Sequence, residues 1–312
     1  MMKYALMGAY MKRYIDISPE VRRALRAKAP VVALESSILG CGMTYPQSIE
    51  TIMRVEDTIR ACGAVPAMTA IMNGKLKVGL RAEETDKLCR MGDDIALASR
   101  SDMPIIIAKK ENGITTTSAA VIIAAMAGIY VLSTDGIGGV DDIADMSSDL
   151  EELSKAHVMA ICGGAKCSQN TGKTLNYLES KGVPIIGYCT DDFPALCMRS
   201  SGHALSHRLD TPEQLAKAFY IKASMGLIGG MLVANPVPEG FAVSESVLNE
   251  AKSKAIEEAS SLKLRGKEAC AFIMRKMCEI TSGESLESSV QLWLNNSRLA
   301  ARTAASLCHM MK

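Results

Sequence analysis

The sequence predicts an α/β protein, specifically an α/β/α sandwich around a mixed, largely parallel sheet. Short β-rich runs alternate with longer helical patterns over most of the chain, and its last part is helical in pattern alone. The 312 residues, 48% of them hydrophobic, suffice to bury one large core. No repeat or linker divides them. We therefore predict a single domain over residues 16–312, after an extension of residues 1–15 that we expect to be flexible.

Eight short apolar runs are the predicted strands. They are rich in β-branched residues and are bounded by turn residues, which is typical of buried strands. The runs are Val31–Leu34, Val65–Met72, Ile95–Ala98, Pro104–Ala108, Gly128–Ser133, Val158–Cys162, Pro184–Gly187 and Met231–Ala234. Asn73 and Gly74 follow the second run and are the pair that tight hairpin turns favour, so at least one strand pair is predicted to be antiparallel.

Helix starts are marked by hydroxyl side chains. Ser18 and Thr211 each precede a proline and a glutamate, and a hydroxyl at this position accepts hydrogen bonds from otherwise unpaired amides of the first turn. From Ser244 onward the pattern is helical, with a break near Gly283.

Composition restricts the function classes. The net charge is +1, and lysine and arginine are scattered, so we expect neither nucleic acid nor a membrane surface as partner. No apolar stretch reaches the roughly 20 residues of a membrane helix. The ten cysteines lie in apolar segments without a compact framework, which favours the cytoplasm. A small-molecule enzyme is the expected class.

Charged residues follow three of the predicted strands. Glu35 ends "VVALE", Lys166 ends "VMAICGGAK", and a glycine- and aspartate-rich loop begins at Asp135. In open α/β sheets, sites form beyond the carboxyl ends of strands. A strand-end carboxylate often only caps a turn, and a strand-end lysine is often only solvated. Burial beside apolar walls would instead lower the pKa of a lysine and make its amine a nucleophile.

The acidic loop has two interpretations. "DGIGGVDD" lacks the spacing of dinucleotide and P-loop motifs, and its carboxylates would repel a phosphate. Asp145 and Asp149 suit magnesium or manganese, although the loop could equally be solvated. The threonines before the helix of "NGITTTSAAVIIAAMAGI" could cap it or bind a substrate hydroxyl or phosphate.

Seven blocks in collinear order carry a resemblance to a known family. They are "VVALESSILGCGMTYPQS", "NGITTTSAAVIIAAMAGI", "TDGIGGV", "DMSSDL", "CGGAKCSQNTGKTLNYLESKGVPIIGY", "LVANPVPE" and "SLESSVQLWLNNSRLAA". From about Ile17 to the C-terminus, the chain resembles the pseudouridine-5'-phosphate glycosidase family, which includes indigoidine synthase A-like proteins.

The resemblance implies a trimeric, manganese-dependent enzyme (or one that uses Mg²⁺) of nucleoside catabolism. Such an enzyme cleaves the C–C bond between uracil and ribose 5-phosphate reversibly, through a lysine–ribose imine. By the same resemblance, Lys166 is the nucleophile, Glu35 donates a proton, Asp145 binds the metal, and Ser147 and Asp149 contact substrate.

Other positions match the family's recognition residues or depart from them. Thr116 and Thr117 fall among the substrate-binding positions. Leu97 replaces a lysine and Asp141 a histidine of the phosphate site, and Ser289 replaces a substrate-contacting asparagine. A lost charge-assisted phosphate contact is worth on the order of 1.5 to 3 kcal/mol. Cys41 replaces a further histidine, and Asp135 stands where glycine is usual.

The sequence leaves several functions open. The chain could cleave pseudouridine 5'-phosphate, act on unphosphorylated pseudouridine or another C- or N-glycoside, or be a non-catalytic binding or regulatory relative. In the altered-substrate hypothesis, Asp141 or Asp142 binds a sugar hydroxyl. Motifs of a Rossmann oxidoreductase or a phosphatase are missing. Gly163 and Gly164 before Lys166 are interpreted as leaving room for a sugar carbon.

Overall fold

The computed structural model of the chain describes residues 13–40, 43–92, 95–140, 146–166 and 170–311. These residues form thirteen strands and eleven α-helices. The strands are β1 (Ile15–Ile17), β2 (Val31–Leu34), β3 (Val65–Met72), β4 (Lys75–Val78), β5 (Ala96–Ala98), β6 (Gly113–Thr115), β7 (Val131–Ser133), β8 (Met159–Cys162), β9 (Ile185–Tyr188), β10 (Asp192–Ala195), β11 (Met198–Ala204), β12 (Arg208–Leu209) and β13 (Met231–Ala234). The helices are α1 (Pro19–Arg26), α2 (Gln47–Ala61), α3 (Ala82–Met91), α4 (Met103–Lys109), α5 (Thr117–Ala127), α6 (Ser148–Lys155), α7 (Thr171–Ser180), α8 (Pro212–Ser224), α9 (Glu245–Ser261), α10 (Gly266–Ile280) and α11 (Glu284–Met310).

Eleven of these strands form one mixed sheet, in the order β1-β4-β3-β2-β7-β8-β13-β9-β12 with β6 also beside β3 and β5 beside β6. Strand β3 pairs antiparallel with β4 and β6, and the other pairs are parallel. Strands β10 and β11 form a separate hairpin. The predicted mixed, largely parallel sheet is confirmed.

Helices cover both faces of this sheet. Alternate residues of a strand point to opposite faces, and in β2 Val32 and Leu34 join one core layer while Val31 and Ala33 join the other. Helices α2, α3, α8 and α11 pack in the first layer, and α1, α4, α5, α6 and α7 pack in the second. Helices α9 and α10 form a smaller cluster against one side of α11.

Several local predictions are confirmed. The bounds of β2, β3 and β13 are those of the predicted runs. Asn73 and Gly74 join β3 to β4 with positive φ angles of 49° and 71°, the backbone that a type I′ turn requires. The Ser18 and Thr211 hydroxyls accept hydrogen bonds from the amides of Val21 and Gln214, at 3.4 and 3.2 Å, and so cap α1 and α8.

The predicted strand Pro104–Ala108 is wrong, because this segment lies within α4. The Asp102 carboxylate accepts a 2.8 Å hydrogen bond from the Ser99 amide just before the helix, and proline fits a first helical turn. Met103 and Ile106 are buried whereas Ile105 is 56% exposed. This spacing is helical, which the unbroken run of isoleucines conceals.

The first described strand begins at the predicted domain boundary. Strand β1 begins at Ile15, the last residue of the segment predicted to be a flexible extension, and pairs with β4. Residues 1–12 lie outside the described residues. Among the helices that the structure describes, none is long and apolar enough to cross a membrane.

Candidate active site

Three neighbouring strands of the sheet, β2, β7 and β8, end at one edge and bring the candidate residues together. Glu35 follows β2, Thr134 and Asp135 follow β7, and Lys166 follows β8 after a short turn. The Lys166 ammonium lies 3.8 Å from Asp135 Oδ1, and these two side chains are only 11% and 5% exposed. The edge where the sequence predicts a site therefore carries a buried cluster of opposite charges.

Hydroxyl groups surround the Glu35 carboxyl, which is 1% exposed. Thr117 and Ser37 donate to its Oε2 atom at 2.8 and 3.1 Å. The Thr134 hydroxyl contacts Oε1. The carboxyl group is therefore fixed in orientation by three short side chains.

The same burial controls the ionisation of Glu35. Burial raises its pKa to about 7, and Lys166 opposes the rise while Asp135 and Asp149 add to it. Near neutral pH the group can therefore hold a proton and release it, which is what a general acid requires.

The turn that carries Lys166 is packed against the rest of the protein. The Lys166 amide donates to Ile137 O at 3.0 Å, which ties the turn to the loop after β7. A Cβ atom at Gly163 would lie 2.2 Å from Leu292, and one at Gly164 would lie 1.9 Å from the carbonyl oxygen of Pro194. The space at both glycines is thus filled by the protein, and the interpretation that they leave room for a sugar carbon is wrong.

Asp149 connects the two loops beside the cluster. Its carboxylate oxygens accept hydrogen bonds from the amides of Ser118 and Gly138, at 2.7 and 2.8 Å. Burial raises the pKa of Asp149, and the Gly138 amide and Lys166 oppose that rise. In this structure Asp149 shapes the site, and its substrate contact stays a prediction.

The other predicted binding residues lie near the cluster with differing surroundings. The Ser147 hydroxyl accepts from the Asp149 amide at 3.2 Å and caps α6. Thr116 lies just before α5, its hydroxyl 2.8 Å from that of Ser118. Ser289, on α11, is buried and lines a small cavity that Asp135 also lines.

Leu97 has an unexpected neighbour. The ammonium of Lys267, on α10, donates to the Leu97 carbonyl oxygen at 2.7 Å and also pairs with Asp102. The sequence indicates that a phosphate-site cation is missing at Leu97. In the fold, a lysine from a distant segment lies against the main chain at this position.

The sequence identifies Asp135 as a strand-end residue without a specific role, and it indicates nothing for Thr134 or Asn296. The Asn296 side chain, on α11, donates to Thr134 O at 2.8 Å and so holds the chain between Glu35 and Lys166. Thr134 directly follows β7, so the strand-end rule that selects Asp135 could also have identified it. Nothing local in the sequence indicates that Asn296 reaches them.

A second buried hydroxyl cluster lies behind Glu35. The Ser36 and Thr69 hydroxyls lie 3.1 and 2.8 Å from that of Thr115, and Ser36 also donates to Thr69 O. These contacts join the ends of β2 and β6 to the middle of β3. They fix the strand end that presents Glu35.

The described residues do not by themselves form a metal site. No three His, Cys, Asp or Glu side chains among them are placed to hold an ion. Both Asp149 oxygens are already bonded to amides. The predicted ligand Asp145, together with Asp141, Asp142 and Cys41, lies outside the described residues.

Comparisons with known proteins point in one direction. A family described as indigoidine synthase A-like protein matches residues 20–306. Pseudouridine-5'-phosphate glycosidase 2 of Photorhabdus laumondii is 47% identical over 300 residues, covering 95% of this chain and 96% of that protein. The pseudouridine-5'-phosphate glycosidase of Escherichia coli (strain K12) is 46% identical over 294 residues, with 93% and 94% covered.

Two solved structures share the fold. The prealnumycin C-glycosynthase AlnA, in complex with ribulose 5-phosphate, superposes with a TM-score of 0.86 at 31% identity and covers 96% of this chain and 98% of its own. An indigoidine synthase A-like protein from Thermotoga maritima has a TM-score of 0.85 at 29% identity, with 95% and 97% covered. The chain belongs to the indigoidine synthase A-like family.

Proposed function

We propose that this protein is an enzyme that reversibly cleaves the C–C glycosidic bond of pseudouridine 5'-phosphate, giving uracil and ribose 5-phosphate. The observation that carries the proposal is the buried cluster of Glu35, Asp135 and Lys166 at the edge of the sheet. It lies in a chain 47% identical to a protein named for this activity.

The linkage that is broken explains why an amine is needed. A C-linked base cannot leave on protonation of a ring nitrogen alone, since uracil C5 must end up carrying a proton. An amine bonded to C1′ can form a C=N bond as the C–C bond breaks, and it thereby accepts the positive charge. Lys166 supplies the amine of this cluster, beside Asp135.

The bonds change in three steps. The Lys166 nitrogen bonds to C1′ while the C1′–O4′ bond breaks, and O4′ takes the Glu35 proton. The C1′–C5 bond then breaks, its electron pair stays with the uracil ring, and C5 gains a proton while the nitrogen lone pair forms the imine. Water hydrolyses the imine to ribose 5-phosphate and restores the amine.

The phosphate is proposed to lie near the start of α5, beside Leu97. Lys267 places its ammonium at the Leu97 carbonyl oxygen, and the Thr116 amide donates to the adjacent Ala98 carbonyl. A lysine from α10 can therefore supply the cation that position 97 lacks. Lys267 now pairs with Asp102, so binding a phosphate there would exchange one anion for another. The names of the relatives support the phosphorylated substrate over the altered-sugar alternative.

A divalent metal, Mn²⁺ or Mg²⁺, is part of the proposal through Asp145. A bound cation of this kind would polarise water and orient substrate oxygens. Titration calorimetry with MnCl₂ should show binding by the wild type and its loss in Asp145→Ala. Unchanged binding by the variant would move the metal site elsewhere.

A homotrimer is likewise proposed, on the family resemblance and on exposed apolar side chains. Ile228 and Met225, after α8, are 86% and 67% exposed, and such groups often mark contacts between chains. Light scattering coupled to gel filtration measures the mass. A cytoplasmic location is proposed from the ten cysteines, which lie in apolar segments without a compact framework.

Product analysis tests the function. We expect release of uracil from pseudouridine 5'-phosphate, measured by chromatography, with much slower release from pseudouridine. A preference for pseudouridine would favour the altered-sugar alternative. No turnover of either compound in the presence of Mn²⁺ would favour a non-catalytic relative.

Covalent trapping tests the role of Lys166. Borohydride reduction in the presence of ribose 5-phosphate should add a reduced ribose phosphate to Lys166, as located by peptide mass spectrometry. Adduct formation on another lysine would reject the assignment.

A further inference from the structure

Asp135 is a buried carboxylate in contact with the reacting amine, and the steps above give it no task. Its Oδ1 atom lies 3.8 Å from Lys166 Nζ. The same oxygen accepts a 2.7 Å hydrogen bond from the Gly136 amide. The side chain is buried, and the main chain and the lysine hold it in place.

The geometry also connects Asp135 to Glu35. The Thr134 hydroxyl contacts Glu35 Oε1 and lies 3.3 Å from Asp135 Oδ1. A hydroxyl has one hydrogen to donate and can accept from another donor. When Glu35 is protonated, it can donate to the Thr134 oxygen, and Thr134 can donate to Asp135. One side chain therefore bridges the two carboxyl groups.

We propose that Asp135 is the proton acceptor that converts the Lys166 ammonium into the attacking amine, and that Thr134 relays this proton to Glu35. This inference rests on the proposed function. It divides the work between two carboxyl groups: Glu35 supplies protons to the substrate, and Asp135 removes one from the enzyme's nucleophile.

The protons balance over one catalytic cycle. Asp135 takes one proton from the Lys166 ammonium, the amine bonds to C1′, and O4′ leaves with the Glu35 proton. The new secondary ammonium gives its proton to Glu35, which delivers it to uracil C5 as the C1′–C5 bond breaks. Water then hydrolyses the imine and returns two protons to the lysine. The proton left on Asp135 passes through Thr134 to Glu35 and resets the site.

Other charged groups face this cluster and enter its pH dependence. Asp149 and Glu35 interact with Lys166 from two different elements. Cys162, at the end of β8, is also near, and burial raises the pKa of its thiol to about 12. The thiol therefore stays protonated over the working range and cannot replace Asp135. On its other side, Asp135 lines a small cavity with Ser285 and Cys278.

The test measures the rate at which Lys166 forms its adduct in a single turnover. Asp135→Asn keeps the shape and can still accept from the Gly136 amide, but it cannot take up a proton. We expect adduct formation to slow by on the order of 10²-fold or more, because that is a typical contribution of a positioned base. Over the pH range in which Glu35 stays protonated, the residual rate should rise with pH, since hydroxide or buffer must now remove the ammonium proton.

Matched variants separate a chemical role from a structural one. Cys278 lines the same cavity. The Cys278→Ala variant should leave the rate of adduct formation and its pH profile unchanged. Thr134→Val should slow repeated turnover more than the first adduct, and Thr134→Ser should restore it. Thermal melting of each variant checks that the fold is retained.

The outcomes distinguish this inference from the proposed function. If the wild type forms no adduct on Lys166, the proposed function and this inference are both rejected. If the wild type forms the adduct and Asp135→Asn forms it at the same rate with the same pH profile, this inference alone is overturned.

Discussion

Two buried lysines lie at opposite ends of the sheet and have different roles. Lys166 lies beyond the carboxyl ends of β7 and β8 and pairs with Asp135 at 3.8 Å. Lys222, on α8, is 6% exposed and donates to the carbonyls of Leu227, Ile228 and Gly229, at 3.1, 2.5 and 2.8 Å, just before β13.

The difference lies in the neighbours rather than in the burial. Burial lowers the pKa of Lys222, yet three fixed carbonyl dipoles bind its hydrogens and leave no room for a substrate. Carboxyl groups, which can take up and release protons, surround Lys166. Burial of a lysine is thus a weak signal of function, and burial beside titratable partners is a stronger one.

Removing the lysine of the site should have the largest effect. In Lys166→Ala we expect turnover to fall by on the order of 10⁴-fold or more, because no other described side chain in the cluster can form an imine. Uracil release and borohydride trapping measure this. Retained adduct formation would show that a different amine is the nucleophile.

The next largest effect should come from the acid. In Glu35→Gln we expect turnover to fall by about 10²- to 10⁴-fold. Since the pKa of Glu35 is raised to about 7 and its protonated form is the active one, the wild-type rate should decline as pH rises above that value. The decline should be absent in the variant, and a pH–rate profile of both enzymes checks it.

Substitution of Lys222 should affect stability rather than the chemical reaction. Lys222→Met leaves three carbonyls without their donor, and we expect the free energy of unfolding to fall by about 1 to 3 kcal/mol. Denaturant titration measures this, with Lys217→Met, an exposed position on the same helix, as the control. Lost turnover in the folded variant would contradict a purely structural role for Lys222.

The smallest effect is expected from substitution of Lys267, the residue proposed to bind the phosphate. In Lys267→Ala we expect KM for pseudouridine 5'-phosphate to rise by about tenfold, consistent with loss of one charge-assisted contact. Lys109→Ala, whose side chain is 62% exposed, serves as the control. An unchanged KM would show that Lys267 does not bind the phosphate.

The buried parallel strands and the position of the site were predictable from the sequence. Strands β2 and β13 are apolar runs with clear ends, and the strand-end rule selects Glu35 and Lys166 because the topology places such residues at one edge. Helix α4 was not predictable in this way, because its run of isoleucines has no visible period. Its helical face shows only against the core that covers Met103 and Ile106.

The contacts that complete the site depend on distant segments. Asn296 lies 162 residues from Thr134, and Lys267 lies 170 residues from Leu97. Such contacts exist only once α10 and α11 pack on the rest of the fold, and no local pattern encodes them. Inspection of position 97 alone therefore cannot detect that Lys267 lies beside it.

The crowded contact at Gly164 gives the β10–β11 hairpin a role in setting distance. Because the Pro194 carbonyl occupies the place of a side chain and Ala195 is bridged to Gly164, the hairpin acts as a spacer for the turn that carries Lys166. A shift of about 1 Å in such a spacer can cost on the order of 10²-fold in rate. Substitutions in this hairpin can therefore adjust the reach of the amine.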